Sequence, residues 1–250
     1  MGVTRQGKIA VLTNYLEKKP ANASQLTSRG AIVNSWLATP PTDSTQTTDK
    51  FVANLVCSNL SSCTGGYSLA CGRVNEPLAI VSNRSARLDQ ISWVATDKGQ
   101  TIGLSNTFVD DRTWPKILRG EELTKAAIDA HVQAADEDED QLIVRLLGVL
   151  STDTLPRLQL RAGSSPEMIK NGCKESIFIP KIGVGDEDDD VNKASYSTGP
   201  YGTQKQTIIL VDYSRRVRYF ERTIYDSHVN AIPPGQGDRS FEFVIDDSHS

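Results

Sequence analysis

Apolar and polar positions alternate with a period of two from Gly7 to Thr13, which predicts a buried strand near the start of the chain. The run SRGAIVNSWLATPP predicts a helix opened near Ser28 and stopped by Pro40-Pro41, because proline lacks the N–H that a helical turn needs. A second, amphipathic helix is predicted over Asp49 to Leu60. Four strand-like runs follow, each bounded by turn residues: GGYSLACGRV, PLAIVSN, ISWVATD and QTIGLSN. In order they predict a meander of antiparallel strands.

Helical patterning returns at Glu121 to Ala135 and Gln141 to Leu150, separated by the acidic run Asp136 to Asp140. Arg157 to Ser176 reads as irregular, and 183–199 reads as a polar, acidic loop. TQKQTIILVDYSRRVRYFERTIYD predicts a hairpin turning near Tyr213 to Arg215. The tail 230–250 reads as loose except for FEFVI, a candidate edge strand. Strands grouped on both sides of a helical block predict an α+β fold rather than alternating βαβ units. The length predicts one domain spanning 1–250.

Charge and composition then exclude several classes. A net charge of −4 leaves no basic field for a phosphate backbone, so nucleic acid is not an expected partner. No stretch approaches the roughly 20 apolar residues of a membrane helix, and no basic segment followed by an apolar run opens the chain. A cytoplasmic protein that does not span a membrane is expected. Cys57, Cys63, Cys71 and Cys173 make no CxxC pair, and the three histidines are too dispersed for zinc spacing. Reduced thiols are expected, with no metal and no cofactor. The N-x-S/T triplets at Asn22, Asn59 and Asn83 then read as chance matches.

Candidate chemistry is sparse. The acidic runs at 136–140 and 186–190 lack the ligand spacing of a calcium loop and read as solvated linkers. His131 and His228 have no nucleophile elbow near them, so no catalytic residue is assigned. Polar residues do recur where strand-like runs end: LTN at 12–14, SNR at 82–84, GLSN at 103–106 and YGT at 201–203. Each asparagine alone is an ordinary turn residue. Together they suggest one rim of a sheet, where loops on a rigid scaffold carry function. The candidate pocket is Asn14, Arg84, Asn106, Tyr201, Thr203 and Arg222.

GKIAVLTNY, SRGAIVNSWL, PLAIVSNR, GLSNTFVDDRTWPKI, ESIFIP, YGTQKQTIILVD and VRYFERT resemble, in this order, the NRDE family, also called the transport and Golgi organisation protein 2 family. The family's signatures are an initial Met-Cys, an Asn-Arg-Asp-Glu box and a Gly-Thr-Trp-Leu-Gly segment. MGVT resembles the end of that last segment, which implies that the other two lie upstream and that this chain is N-terminally truncated. The resemblance further implies an N-terminal-nucleophile-hydrolase-like αββα sandwich lacking its first strands. In such enzymes an N-terminal cysteine attacks an amide while asparagines stabilise the oxyanion, and Asn14 and Asn106 resemble those asparagines. No activity is expected of this chain, since none of its four cysteines matches the family's first. The implied function is a role in Golgi organisation and protein secretion, at the Golgi or mitochondria, with a lipid-like molecule or haem as the candidate small-molecule partner. The alternative is an N-terminal-cysteine amidohydrolase in the full-length product.

Overall fold

The computed structural model describes residues 1–15, 28–39, 47–58, 64–134, 136–155, 171–182 and 201–246. Pro40-Pro41 and the acidic loop 183–199 lie outside the described residues. Among those described, the chain is mixed α/β, with two antiparallel sheets and four helices. It divides into two compact units: Met1–Asp111 with Tyr213–Arg216 and Phe243–Ser250, and Arg112–Asp212 with Val217–Glu242.

The first unit carries β1 (Gly2–Val3), β2 (Lys8–Asn14), β3 (Tyr67–Arg73), β4 (Leu78–Ser82) and β5 (Ser92–Val94), paired in sequence order. Gly7 closes the first turn at φ 76°, a left-handed geometry that glycine adopts without strain. Pairing of Ala10 with Cys71 and of Cys71 with Ala79 puts one parity of each strand on one face. That face buries Ala10, Tyr67, Leu69, Cys71, Ala79 and Val81 beneath α1 (Arg29–Leu37) and α2 (Thr48–Cys57), which contribute Ile32, Val33, Trp36, Phe51, Val52 and Leu55. Ser28 and Thr47 cap the two helices by accepting from Gly30 N and Lys50 N, each at 3.3 Å.

Trp36 ties these layers together. Its indole N–H lies between two paired strands, 3.1 Å from the Ile9 carbonyl and 3.3 Å from that of Gly72. Lys8, only 3% exposed, donates its ammonium to the Trp36 carbonyl at 3.2 Å and lies 4.6 Å from the indole centroid. A cation thereby meets the negative end of α1 and an aromatic face at once.

Three expectations need correction in this region and beyond it. QTIGLSN forms no strand; instead the Ser105 carbonyl, and that of Thr107 just beyond, accept from side-chain hydroxyls of the sheet. The first long helix of the second unit, α3 (Pro115–Gln133), begins at Pro115 and not at Glu121, with proline at its first turn where a missing N–H costs nothing. The acidic run at 136–140 is also no solvated linker. Asp138 accepts from Gln141 N at 3.0 Å as the N-cap of α4 (Glu139–Leu150), and Glu139 and Asp140 occupy the first turn, where the helix dipole favours them.

In the second unit α4 packs Ile143 and Leu147 on Ile208 of a sheet ordered β6 (Lys205–Val211), β7 (Arg216–Thr223), β8 (Asp238–Val244). The hairpin turn falls at 212–215, as the alternation predicts. Within the stretch 230–246, Ala231 bridges to Tyr225 and β8 starts at Asp238, ahead of FEFVI. Arg218 anchors β7 to the start of α4 through Glu139 and Asp140.

Trp36→Ala is expected to destabilise the first unit by about 3–5 kcal/mol, read as a lower urea midpoint. Trp36→Phe, which keeps most of the packing but loses the N–H, is expected to cost about 1–3 kcal/mol. A pH effect should come from Glu137, which accepts from Arg145 Nε at 2.7 Å and lies 3.2 Å from His131 Nδ1. Arg145 first, and His131 after it, hold this carboxyl down at about 2 against an ordinary 4.5. A lowered folded value stabilises fully above the unfolded one, so this contribution is lost as pH falls from about 4.5 through about 2. Melts of wild type and Glu137→Gln should therefore differ at neutral pH and converge in that window.

Candidate functional site

The sheet face of the first unit turned away from α1 and α2 carries Thr13 and Ser68, which face each other across β2 and β3. Thr13 Oγ1 donates to the Ser105 carbonyl at 2.9 Å, and the fully buried Ser68 donates to that of Thr107 at 3.0 Å. Two hydroxyls on one parity of the strands thus seat the GLSN loop on the open face. Thr107 Oγ1 in turn donates to Asp111 at 2.7 Å.

Seating the loop brings Asn106 to the end of β2, where its amide donates to the Asn14 carbonyl at 2.9 Å. The Asn14 side-chain oxygen accepts from Arg29, whose guanidinium also reaches the Gly66 carbonyl at 3.3 Å. Arg29 therefore fixes the carboxamide by its oxygen and turns its N–H groups elsewhere. The two asparagines of the candidate pocket are in direct contact.

Arg84 stands in the same unit, at a turn that closes β4. Ser82 Oγ accepts from Arg84 N at 3.1 Å, and Ser85 Oγ accepts from Ser82 N at 3.1 Å. Asn83 accepts from Tyr67 N at 3.2 Å, so the side chain of this N-x-S triplet is engaged with the backbone of β3. The turn borders a cavity of about 360 Å³ lined by Tyr15, Ile80, Ser82, Arg84, Ser92 and Phe108, among others. Ser68 and Ser92 were not singled out from the sequence. Their signal was there, as small hydroxyls at the strand parity opposite the apolar face, but serine in a half-buried strand is too common to stand out.

Tyr201, Thr203 and Arg222 belong to the second unit. Tyr201 bridges to Ile182 and lines a cavity of about 220 Å³ with Lys181, Gly202, Gln204 and Tyr225. Burial, and then the neighbouring Cys173, push its phenol above the usual range. Thr203 exchanges bonds with Ile179, donating its N–H at 2.8 Å and accepting at its hydroxyl at 2.9 Å. Arg222 is committed to a two-point pair with Asp238, at 2.8 and 2.7 Å.

Two of the described thiols, Cys71 and Cys173, are shifted away from the thiolate. Burial pushes Cys71 up to about 12, and pushes Cys173 up against the partial relief of Lys116. Among the described residues no group of three His, Cys, Asp or Glu is placed to hold a metal ion, and no helix is long and apolar enough to cross a membrane.

Comparison with known proteins agrees with the sequence resemblance. The family model described as Transport and Golgi organisation 2 matches residues 1–226. The Transport and Golgi organization protein 2 homolog of Homo sapiens is 26% identical over 258 residues, spanning 98% of this chain and 77% of the relative. The Bos taurus protein of the same name is 28% identical over 237 residues, spanning 91% and 72%, and the Mus musculus homolog is 26% identical over 237 residues, spanning 90% and 72%. With nine-tenths of its length matched by one family model, this chain belongs to the Transport and Golgi organisation 2 family.

Proposed function

We propose that the chain serves Golgi organisation and protein secretion by binding a lipid-like small molecule on the open face of its first sheet. The supporting observation is the mixed lining of the 360 Å³ cavity: Ile80, Phe108 and Val109 together with Arg84, Ser82 and Ser92, and with Asp89 and Asp110. The apolar residues suit an acyl chain, and a guanidinium with hydroxyls suits an anionic or zwitterionic head. Phe108 is 52% exposed, a large apolar surface at the mouth of a polar site. The volume lies at the lower end of small-molecule sites, roughly 300–1,000 Å³, so the cavity takes a head group and the first part of a chain. Haem fits less well, since Tyr15 is the one residue of an axial-ligand type among the described lining residues.

A second reading, amide hydrolysis on an αββα N-terminal-nucleophile fold, is favoured by the contact between Asn14 and Asn106. An anchored carboxamide presenting its N–H groups is what an oxyanion requires. One experiment separates the two. A fluorescent lysophosphatidylcholine and a fatty-acid amide are titrated into the chain and into Arg84→Ala, Phe108→Ala and Asn14→Ala. Binding weakened about tenfold by the first two replacements, with the amide intact, supports the lipid-binding reading. Fatty-acid release by an extended chain beginning Met-Cys, abolished there by Asn14→Ala, supports the hydrolase. Binding that neither Arg84→Ala nor Phe108→Ala alters sinks the cavity as the site.

A further inference from the structure

Cations of the second unit are widely matched by acids: Arg112 with Glu121, Lys125 with Asp129, Arg145 with Glu137, Lys205 with Glu221 and Arg222 with Asp238. Lys116 and Lys174 depart from that rule. Their ammonium groups lie 5.3 and 5.4 Å from the Trp114 ring centroid, and Lys116 N donates to the Lys174 carbonyl at 3.1 Å. Two cationic side chains thus leave backbones held side by side and converge on one buried indole. Neither has a carboxylate partner among the described residues.

Both cations lie on one indole with no acid among the described residues to answer them, and the first turn of α3 adds its own positive end. Burial pushes the Lys116 amine below its usual range, and Cys173 offsets part of that shift. Cys173, next to Lys174 in the chain, packs against Leu155, Ile179 and Ile182, and Ile182 pairs with the Tyr201 that walls the 220 Å³ cavity. Tyr225 and Gly202 continue that wall.

We propose that Lys116 and Lys174, with Trp114 as their support, bind a phosphate monoester whose organic part lies toward Tyr201 and Tyr225. Two ammonium groups match a group carrying about −1.5 to −2 charge near neutral pH better than they match a single carboxylate. Lysine suits this role as a compact point charge. The site is separate from the cavity of the first unit and does not depend on what fills that cavity. No bond is made or broken, and an anion seated there returns Lys116 toward its ordinary basicity.

The test is calorimetric titration of the whole chain at low salt with inorganic phosphate and with phenyl phosphate, beside co-sedimentation with phosphatidylcholine vesicles containing phosphatidate. Lys116→Gln and Lys174→Gln should each weaken binding about tenfold. Lys125→Gln, on an exposed pair, should leave it unchanged, and unchanged urea midpoints will show that the variants fold. Binding should also weaken as pH rises and Lys116 gives up its proton. Loss of soluble-phosphate binding in the double variant supports the site with a soluble ligand. Loss of vesicle binding alone supports it with a lipid head group as the source. Absence of binding in both arms, or binding that the double variant retains, overturns it.

Discussion

The indole N–H of Trp36 is the constraint on which the first unit depends. It reaches two carbonyls on neighbouring strands and so fixes where α1 lies across β2 and β3. The buried ammonium of Lys8, bound to the carbonyl of the same tryptophan, closes the end of that helix. Once α1 and α2 cover one face of the sheet, strand geometry leaves the other parity of side chains for a different use. On β2 and β3 that parity carries hydroxyls, and they take up the carbonyls of a loop that makes no ladder of its own. The contact of Asn14 with Asn106 and the cavity beside Arg84 are both consequences of how that face is filled.

The second unit is organised more by charge than by its modest apolar core. Arg218 joins β7 to the start of α4, Glu137 joins the two helices, and Arg222 joins β7 to β8. Such pairs are worth little at an exposed surface, but several here are half-buried and made through two points, which adds orientation to attraction. Against this background of matched charge the pair at Trp114 stands out, because desolvated cations are costly unless something answers them.

Sequence made the first unit largely legible. Period-two alternation locates β2, β3 and β4, and Ser28 marks the start of α1, because both signals are local and backed by burial. GLSN misleads for a physical reason: its apolar alternation is real, but the Ser105 carbonyl is taken up by the hydroxyl of Thr13, far away in the chain. The start of α3 was hidden by reading apolar periodicity alone, although Trp114-Pro115 carries a first-turn proline signal. The acidic run at 136–140 shows a similar limit, since charge composition suggests a linker while position makes Asp138 a cap. Asn14, Arg84 and Asn106 could be picked out as polar groups at strand ends. That Arg222 is held by Asp238, while Lys116 and Lys174 meet no acid among the described residues, is a tertiary fact that no local pattern carries.

The claim that the open face of the first sheet is a ligand surface is most directly tested by amide hydrogen exchange, with and without lysophosphatidylcholine at saturating concentration. Amides of the turn and 3-10 segment at 82–92 and of the loop at 105–110 border the cavity, and their exchange should slow on binding. The amides of α1 should not change. Unaltered exchange in both border segments, or protection confined to the second unit, would contradict the assignment of that face as the binding surface.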